Sequence, residues 1–519
     1  MVNKEAIEAL QALVGKDYFC CDPQTIQMRT KNTLGLTRNI PAIIYPEKTD
    51  QVQAIVYLAN RFKFSIYPYS TGKNIGYGER LPVTDDNVIM DLGRLNKIIY
   101  VDPVLGYADL QTGVTQGMLC DYLEKNNLPF FSDPTDAGRD ASIVGNALEG
   151  GFGTTPKGNR RKEITCVKGV YGNGELFDTG YFPGNIGPDF AGIFVQSNFG
   201  IITQLRIHLN PSHETYQSFT INLKNETRLI PLINAIRELR QKGTLINQVI
   251  LVNAVDGIAA TTITIPEAYR NKKLTNDDAR KILSNPFVDF GPIFAIGTVY
   301  GSKEEVSAKK KTIRKTLHKH MSEGAWNIRY MTDNFLKLLK FLFRTWPMNA
   351  FSFSENIIHG LVSFGEGHGL MGGKSSDSPL KCLLGGVKDT YGDKRLMWYS
   401  SRVSSRPEDV KRFVETARAC YNCHQFEYPL EMLFVTPSDI IAIQKINWDK
   451  DNSDEERRAK DLYRALENDL KNAGFFPYRL GVQSQEKASY PEDKDRTLRA
   501  LKKMFDPNGV VSPGRYGIR

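Results

Sequence analysis

Through the first third of the chain, short runs of β-branched and aromatic residues alternate with stretches whose apolar positions recur every three to four residues. Residues 42–45, 65–69, 87–91, 98–102 and 107–111 read as strands. Residues 50–62 and 115–126 read as helices, the second ending before Pro129. Strands this closely spaced predict a mixed sheet. Further on, residues 164–171 and 175–178 flank Gly172, Asn173 and Gly174, a strong hairpin signal. From about residue 211 glycine thins out and the periods lengthen: residues 229–242, 303–319, 407–419 and 454–472 read as helices, the last stopped by Gly474, and 426–435 as a strand. The pattern predicts an α+β chain of more than one domain, which a length of 519 residues also requires.

Glycine interrupts this pattern where backbone amides are able to gather round an anion. Directly after the strand at 65–69, Gly72, Gly76 and Gly78 permit positive φ and bring successive N–H groups together. Ser70, Thr71 and Asn74 add side-chain donors there, and Lys73 adds a positive charge. The spacing is neither that of a Walker loop nor that of a Rossmann fingerprint. A second glycine-rich region spans residues 136–156, and Gly200 opens a further strand-like run. Two such regions imply an extended ligand.

Composition narrows the class. Lys and Arg total 67 against 58 Asp and Glu, but the basic residues are scattered except at 309–315, so no nucleic-acid stripe is expected. No long apolar stretch appears near Met1 or elsewhere, which predicts a cytoplasmic protein that neither spans a membrane nor leaves by the general signal route. The seven cysteines read as reduced thiols. Cys420, Cys423 and His424 fit the C-x-x-C-H haem-attachment pattern, yet they fall at a helix-to-strand junction inside a large domain. They read as a buried structural pair, with no metal site expected. All four tryptophans, Trp326, Trp346, Trp398 and Trp448, fall after residue 212, where they suit either a core or the cover of an aromatic pocket.

Taken in order, four segments resemble the vanillyl-alcohol oxidase and p-cresol methylhydroxylase flavoproteins. The loop Ser70, Thr71, Gly72, Lys73, Asn74, Ile75 and Gly76, continuing to Gly78, is similar to the family's pyrophosphate loop. Ser142, Gly145 and Asn146, with Gly153 and Thr155, are similar to its second FAD segment, and Gly200 with Ile202 to its third. The tail from Asp506 to Arg515 is similar to the closing signature that returns a basic residue to the cofactor. The resemblance implies a two-lobed FAD-binding domain of the p-cresol methylhydroxylase type, residues 1–212, then an α+β cap over 213–476 and a return to the FAD-binding domain over 477–519. It also implies a phenolic substrate held as phenolate by Tyr77, Tyr478 and Arg479, losing a benzylic hydride to flavin N5 through a quinone methide. The physical requirement stands independently: a phenol, with a pKa of about 10, is bound ionised at neutral pH only beside a permanent cation and hydroxyl donors. An acidic residue near N5 is implied as well, at Asp136 or Asp140. A homodimer, and either oxygen or a cytochrome as electron acceptor, belong to the same set of implications.

Two positions depart from the family's pattern. Thr154 stands where a tyrosine commonly helps to clamp the phenol, leaving the substrate open. Leu396 falls at the position that carries the covalent flavin link, and leucine forms no such bond. Dissociable FAD is therefore expected, with Tyr399 and Tyr391 as the other candidates for a link. The alternatives are the same fold acting on a hydroxy acid or alcohol, with Arg479 holding a carboxylate, and a flavin-binding protein whose chemistry is lost or changed.

Overall fold

The computed structural model describes residues 2–180, 186–259, 273–284, 290–332, 367–377 and 394–519, together with residues 265 and 267–269. Trp346 and Tyr391 lie outside these residues. The described chain is α+β and builds three sheets around which its cores form, besides a two-stranded pairing.

Helix Thr49–Phe62 buries Val52, Ile55, Val56 and Ala59 along one stripe and leads into strand β1 (Ser65–Tyr69). β1 runs parallel to Asn87–Asp91 at the edge of a four-stranded sheet. The end of the chain continues that edge: Ile66 N donates to Val510 O at 2.7 Å, and Ser512 N donates to Ile66 O at 2.8 Å. Buried Lys502 anchors the same tail by donating to the main-chain oxygens of Asn198 and Val511 and to the Asp506 carboxylate. Strand β2 (Gly200–His208) forms the middle of a five-stranded antiparallel sheet, between Tyr107–Gln111 and Ile164–Tyr171.

The third sheet has eight antiparallel strands among the described residues. Its order is Trp326–Met331, Thr215–Leu223, Ile293–Gly301, β3 (Val249–Asn253), then β5, β6, β4 and β7. Here β4 is Lys394–Ser404, β5 Glu431–Phe434, β6 Asp439–Asp449 and β7 Pro477–Arg479. Helices Leu229–Gln241, Lys303–His320, Pro407–Cys423 and Ser453–Asn472 cover one face in a single apolar core. Strand alternation divides β4 between two environments. Met397, Tyr399 and Val403 enter that core, whereas Trp398 and Ser400 face the other way.

Several expected boundaries change. Helix Pro407–Cys423 runs through the C-x-x-C segment, because Cys420 and Tyr421 continue its buried stripe at the spacing of Phe413 and Ala417. Cys423 is exposed, so the two cysteines are not a buried pair. The strand expected over 426–435 is confined to Glu431–Phe434. The turn-rich reading of the closing segment also gives way, since Glu492–Phe505 is a helix. Trp326 and Trp448 fill the helix-side core, and Trp398 alone of the described tryptophans reaches the cavity discussed next.

Candidate functional site

A single cavity lies where the loop after β1, residues 135–154, the start of β2 and the tail meet the open face of the eight-stranded sheet. Residues 70–75, Ser142, Gly145, Asn146, Gly153, Gly200, Ile202 and Arg515 line it. So do Tyr77, Tyr478, Arg479 and Asp136. Asp140 is exposed elsewhere. Two expected residues stand behind the wall. Gly76 donates its N–H to Thr33 Oγ1 at 3.0 Å, and Thr155 is fully buried, donating to Asp133 and accepting from Asn210.

The loop is shaped by its glycines. Gly72 and Gly76 hold φ of 69° and 74°, and a Cβ on Gly76 would stand 2.8 Å from the Trp398 ring. Tight turning leaves the backbone N–H groups of residues 71–75 without an acceptor among the described residues, all of them on the cavity wall. Asn146 Oδ1 and Thr154 Oγ1 are likewise buried on that wall with no partner. Free amides beside Lys73 and Arg515 suit the phosphates of a dinucleotide. The residues present therefore fit FAD.

At the other side of the cavity the aromatic and charged residues form one network. The Arg479 guanidinium lies over the Tyr77 ring at 4.5 Å and donates to Asn74 Oδ1. Its Nε stands 3.6 Å from Glu149 Oε2. Tyr77 Oη and Ser400 Oγ are 2.8 Å apart, and the Tyr478 ring packs on Phe152 at 5.5 Å. Burial opposes the charge of Arg479, but Glu149 and the two tyrosines outweigh it and keep the guanidinium a firm cation. Burial, reinforced by Tyr478, pushes the Tyr77 hydroxyl well above its ordinary range, so Tyr77 is a neutral donor. Glu149, absent from the expected residues, also pairs with Arg515 and accepts from Tyr516 Oη at 2.6 Å. Burial tends to raise its carboxyl, yet Arg515 and Arg479 together hold it below the usual carboxylate range.

A second charged group, also absent from the expected residues, closes the far wall. Lys445 on β6 stands 2.7 Å from Glu431 on β5 and 2.9 Å from Asp256. Asp136 faces this group. Its carboxylate opens only to the cavity, deep in the molecule, and burial followed by the Glu431 charge raises it to about 6. Lys445 stays charged, because Asp256 and Glu431 overcome the cost of its burial.

Residues 40–180 match the family described as "FAD binding domain". The whole chain aligns with the 4-cresol dehydrogenase [hydroxylating] flavoprotein subunit of Pseudomonas putida at 26% identity, covering 99% of this chain and 95% of the relative. The crystal structure of p-cresol methylhydroxylase with substrate bound superposes with a TM-score of 0.85 at 25% identity, covering 99% of this chain and 96% of that one. The chain is a flavoprotein of the p-cresol methylhydroxylase type. It is an FAD-dependent oxidoreductase, and the relatives that share its full length vary in chemistry. The 1'-carboxy-chondrochloren decarboxylase of Chondromyces crocatus is 27% identical over 99% of this chain and 97% of the relative.

In this flavoprotein Leu396 is buried against Ile75 and Trp398, and Tyr399 points to the helix-side core against Tyr463. Among the described residues, no helix is long and apolar enough to cross a membrane, and no group of His, Cys, Asp or Glu has the arrangement of a metal site.

Proposed function

We propose that this flavoprotein oxidises a para-substituted phenol at its benzylic carbon. The observation that carries the reading is the convergence of Arg479, Tyr77 and Tyr478 on one wall of the FAD cavity, with the guanidinium over the Tyr77 ring at 4.5 Å. Residues 70–75, Asn146 and Arg515 would hold FAD, which supplies a two-electron, hydride-accepting oxidant when bound. Arg479 compensates the charge of a phenolate, and the neutral tyrosine hydroxyls donate to its oxygen. A phenolate that gives up a benzylic hydride, with both its electrons, becomes a neutral quinone methide, to which water adds. Ionised Asp136 is placed to take the proton of that water. We divide the chain accordingly into an FAD-binding part, residues 1–212 and 477–519, and a cap over 213–476.

Anaerobic reduction of the bound flavin by a panel of 4-alkylphenols tests the reading. Bleaching of the oxidised flavin spectrum supports it. Silence toward every phenol, with reduction by 2-hydroxy acids instead, would replace it with the carboxylate reading of Arg479. With a 4-alkylphenol, formation of the hydroxylated product should rise with pH through about 6 as Asp136 ionises. That limb should vanish in Asp136→Asn, and its persistence there would remove Asp136 from the proton transfer.

We also propose that the FAD is held without a covalent link, on the strength of Leu396 and of the orientation of Tyr399 into the core. Acid precipitation of the holoprotein is expected to leave the yellow colour in the supernatant. A yellow pellet would show a linked flavin.

A further inference from the structure

The cavity is electrically bipolar along one row of the eight-stranded sheet. Arg479 on β7 is paired with Ser400 on β4, Ser400 with Ile443 on β6, and Ile443 with Glu431 on β5. Residues paired directly across antiparallel strands project from the same face. Arg479, Ile443 and Glu431 all line the cavity, and Ser400 holds the Tyr77 hydroxyl. The row thus begins at the phenol clamp, crosses an apolar middle where Ile443 packs with Ile441, Leu433, Phe152 and Tyr478, and ends at a carboxylate.

That far end carries excess negative charge. Lys445 is already held by Asp256 and Glu431, so a single ammonium faces three carboxylates once Asp136 is counted. A purely structural ion group would be balanced, because uncompensated buried charge is costly. Here Asp136 has no hydrogen-bond partner among the described residues, and its carboxylate opens to the cavity instead. A ligand carboxylate would meet Glu431 and Asp136 and be repelled, whereas a ligand cation would restore the balance.

Length agrees with charge. Three inter-strand steps place the roots of Arg479 and Glu431 about 14 Å apart. An extended 4-(2-aminoethyl)phenol spans roughly 8–9 Å from oxygen to nitrogen at ordinary bond lengths of about 1.5 Å. A hydrogen bond of about 2.8 Å at each end brings the total to about 14 Å.

Building on the phenol-oxidation reading, we propose that the substrate is a 4-hydroxyphenyl compound whose para side chain ends in an ammonium group, seated at Glu431 and facing Asp136. Arg479 and the tyrosines hold its phenolate end, and the isoleucine-lined middle holds its ring and side-chain carbons.

The test is anaerobic flavin reduction in the holoenzyme by four phenols that differ only at the para side chain: 4-(2-aminoethyl)phenol, 4-(2-hydroxyethyl)phenol, 4-propylphenol and 4-hydroxyphenylacetate. The expected result is that the reduction rate divided by Kd is at least tenfold higher for the amine than for the propyl compound, and lowest for the carboxylate. Glu431→Gln should reduce the amine-to-propyl ratio by tenfold or more. With the amine, the pH limb attributed to Asp136 should also move to lower pH than with 4-propylphenol, since a nearby cation favours the ionised carboxyl. Equal reduction by the amine and propyl compounds, or preference for the carboxylate, overturns the ammonium subsite while the phenol reading stands. Failure of all four to reduce the flavin overturns both.

Discussion

Arg479→Ala is expected to weaken the binding of phenolate ligands by roughly a hundred- to a thousandfold. Losing one partner of a buried, hydrogen-bonded charge pair costs about 2–5 kcal/mol, and each 1.4 kcal/mol is about a factor of ten. Arg479 is the part of the clamp that carries charge, because Tyr77 is held neutral by its burial. Its side chain is only 9% exposed, so water does little to replace it. The measurement is titration of the holoprotein with a phenol that lacks a benzylic hydrogen, such as 4-fluorophenol, followed by perturbation of the flavin spectrum. The wild type should bind the ligand as phenolate near neutral pH. In the variant, what affinity remains should rise with pH toward the ligand's own pKa, about 10 for a simple phenol. Arg479→Lys keeps the charge but loses the planar fork that reaches Asn74 and Glu149 together, and it should fall between the two. Affinity unchanged in the alanine variant would remove the clamp from the mechanism.

The parts of the site that were readable in the chain are those whose signal is local. Gly72, Gly76 and Gly78 stand within seven residues of one another, and their backbone demands are met by few other residue types. The loop that carries Tyr77 was visible for that reason. β1 and the strands at 87–91, 107–111 and 164–171 have the expected bounds, because their apolar runs are short and cut off by turn residues. Lys445, Glu431 and Asp256 gave no such signal. Each is one charged residue on its own element, and alone it reads as a solvent-facing position. Only the pairing of β5 with β6 and of β3 with β5 brings them to one wall. Helix Glu492–Phe505 was hidden differently. Lys502 and Phe505 are its buried residues, and its many charges obscured an apolar face that Leu498 and Leu501 complete. Glu149 was hidden by its neighbours, since beside Gly150 and Gly151 it reads as part of a flexible turn.

Glu149 supports the second large effect. Its carboxylate lies between the clamp cation Arg479 and the tail cation Arg515, and it also accepts from Tyr516. Gln196 fixes the segment by donating to the main-chain oxygens of Glu149 and Tyr478 at 3.0 and 2.9 Å. Glu149→Ala would leave two buried guanidinium groups facing each other without an anion. Breaking a buried pair in this way costs about 3–5 kcal/mol, so the variant should show a clearly lower denaturation midpoint and retain less FAD on gel filtration. Glu149→Gln keeps an acceptor for each guanidinium and should cost less, which separates the loss of charge from the loss of shape. The pH dependence has a definite sign. The folded carboxyl is held below its ordinary value of 4.5, so its contribution is present above about pH 4.5 and is lost as the pH falls through the lowered folded value. The stability gap between the wild type and Glu149→Gln should therefore be full at neutral pH and shrink on acidification below about 4.5. A gap that did not change with pH would mean that the side chain acts through packing alone. The charge link between the phenolate clamp and the FAD-holding tail would then be lost from the account.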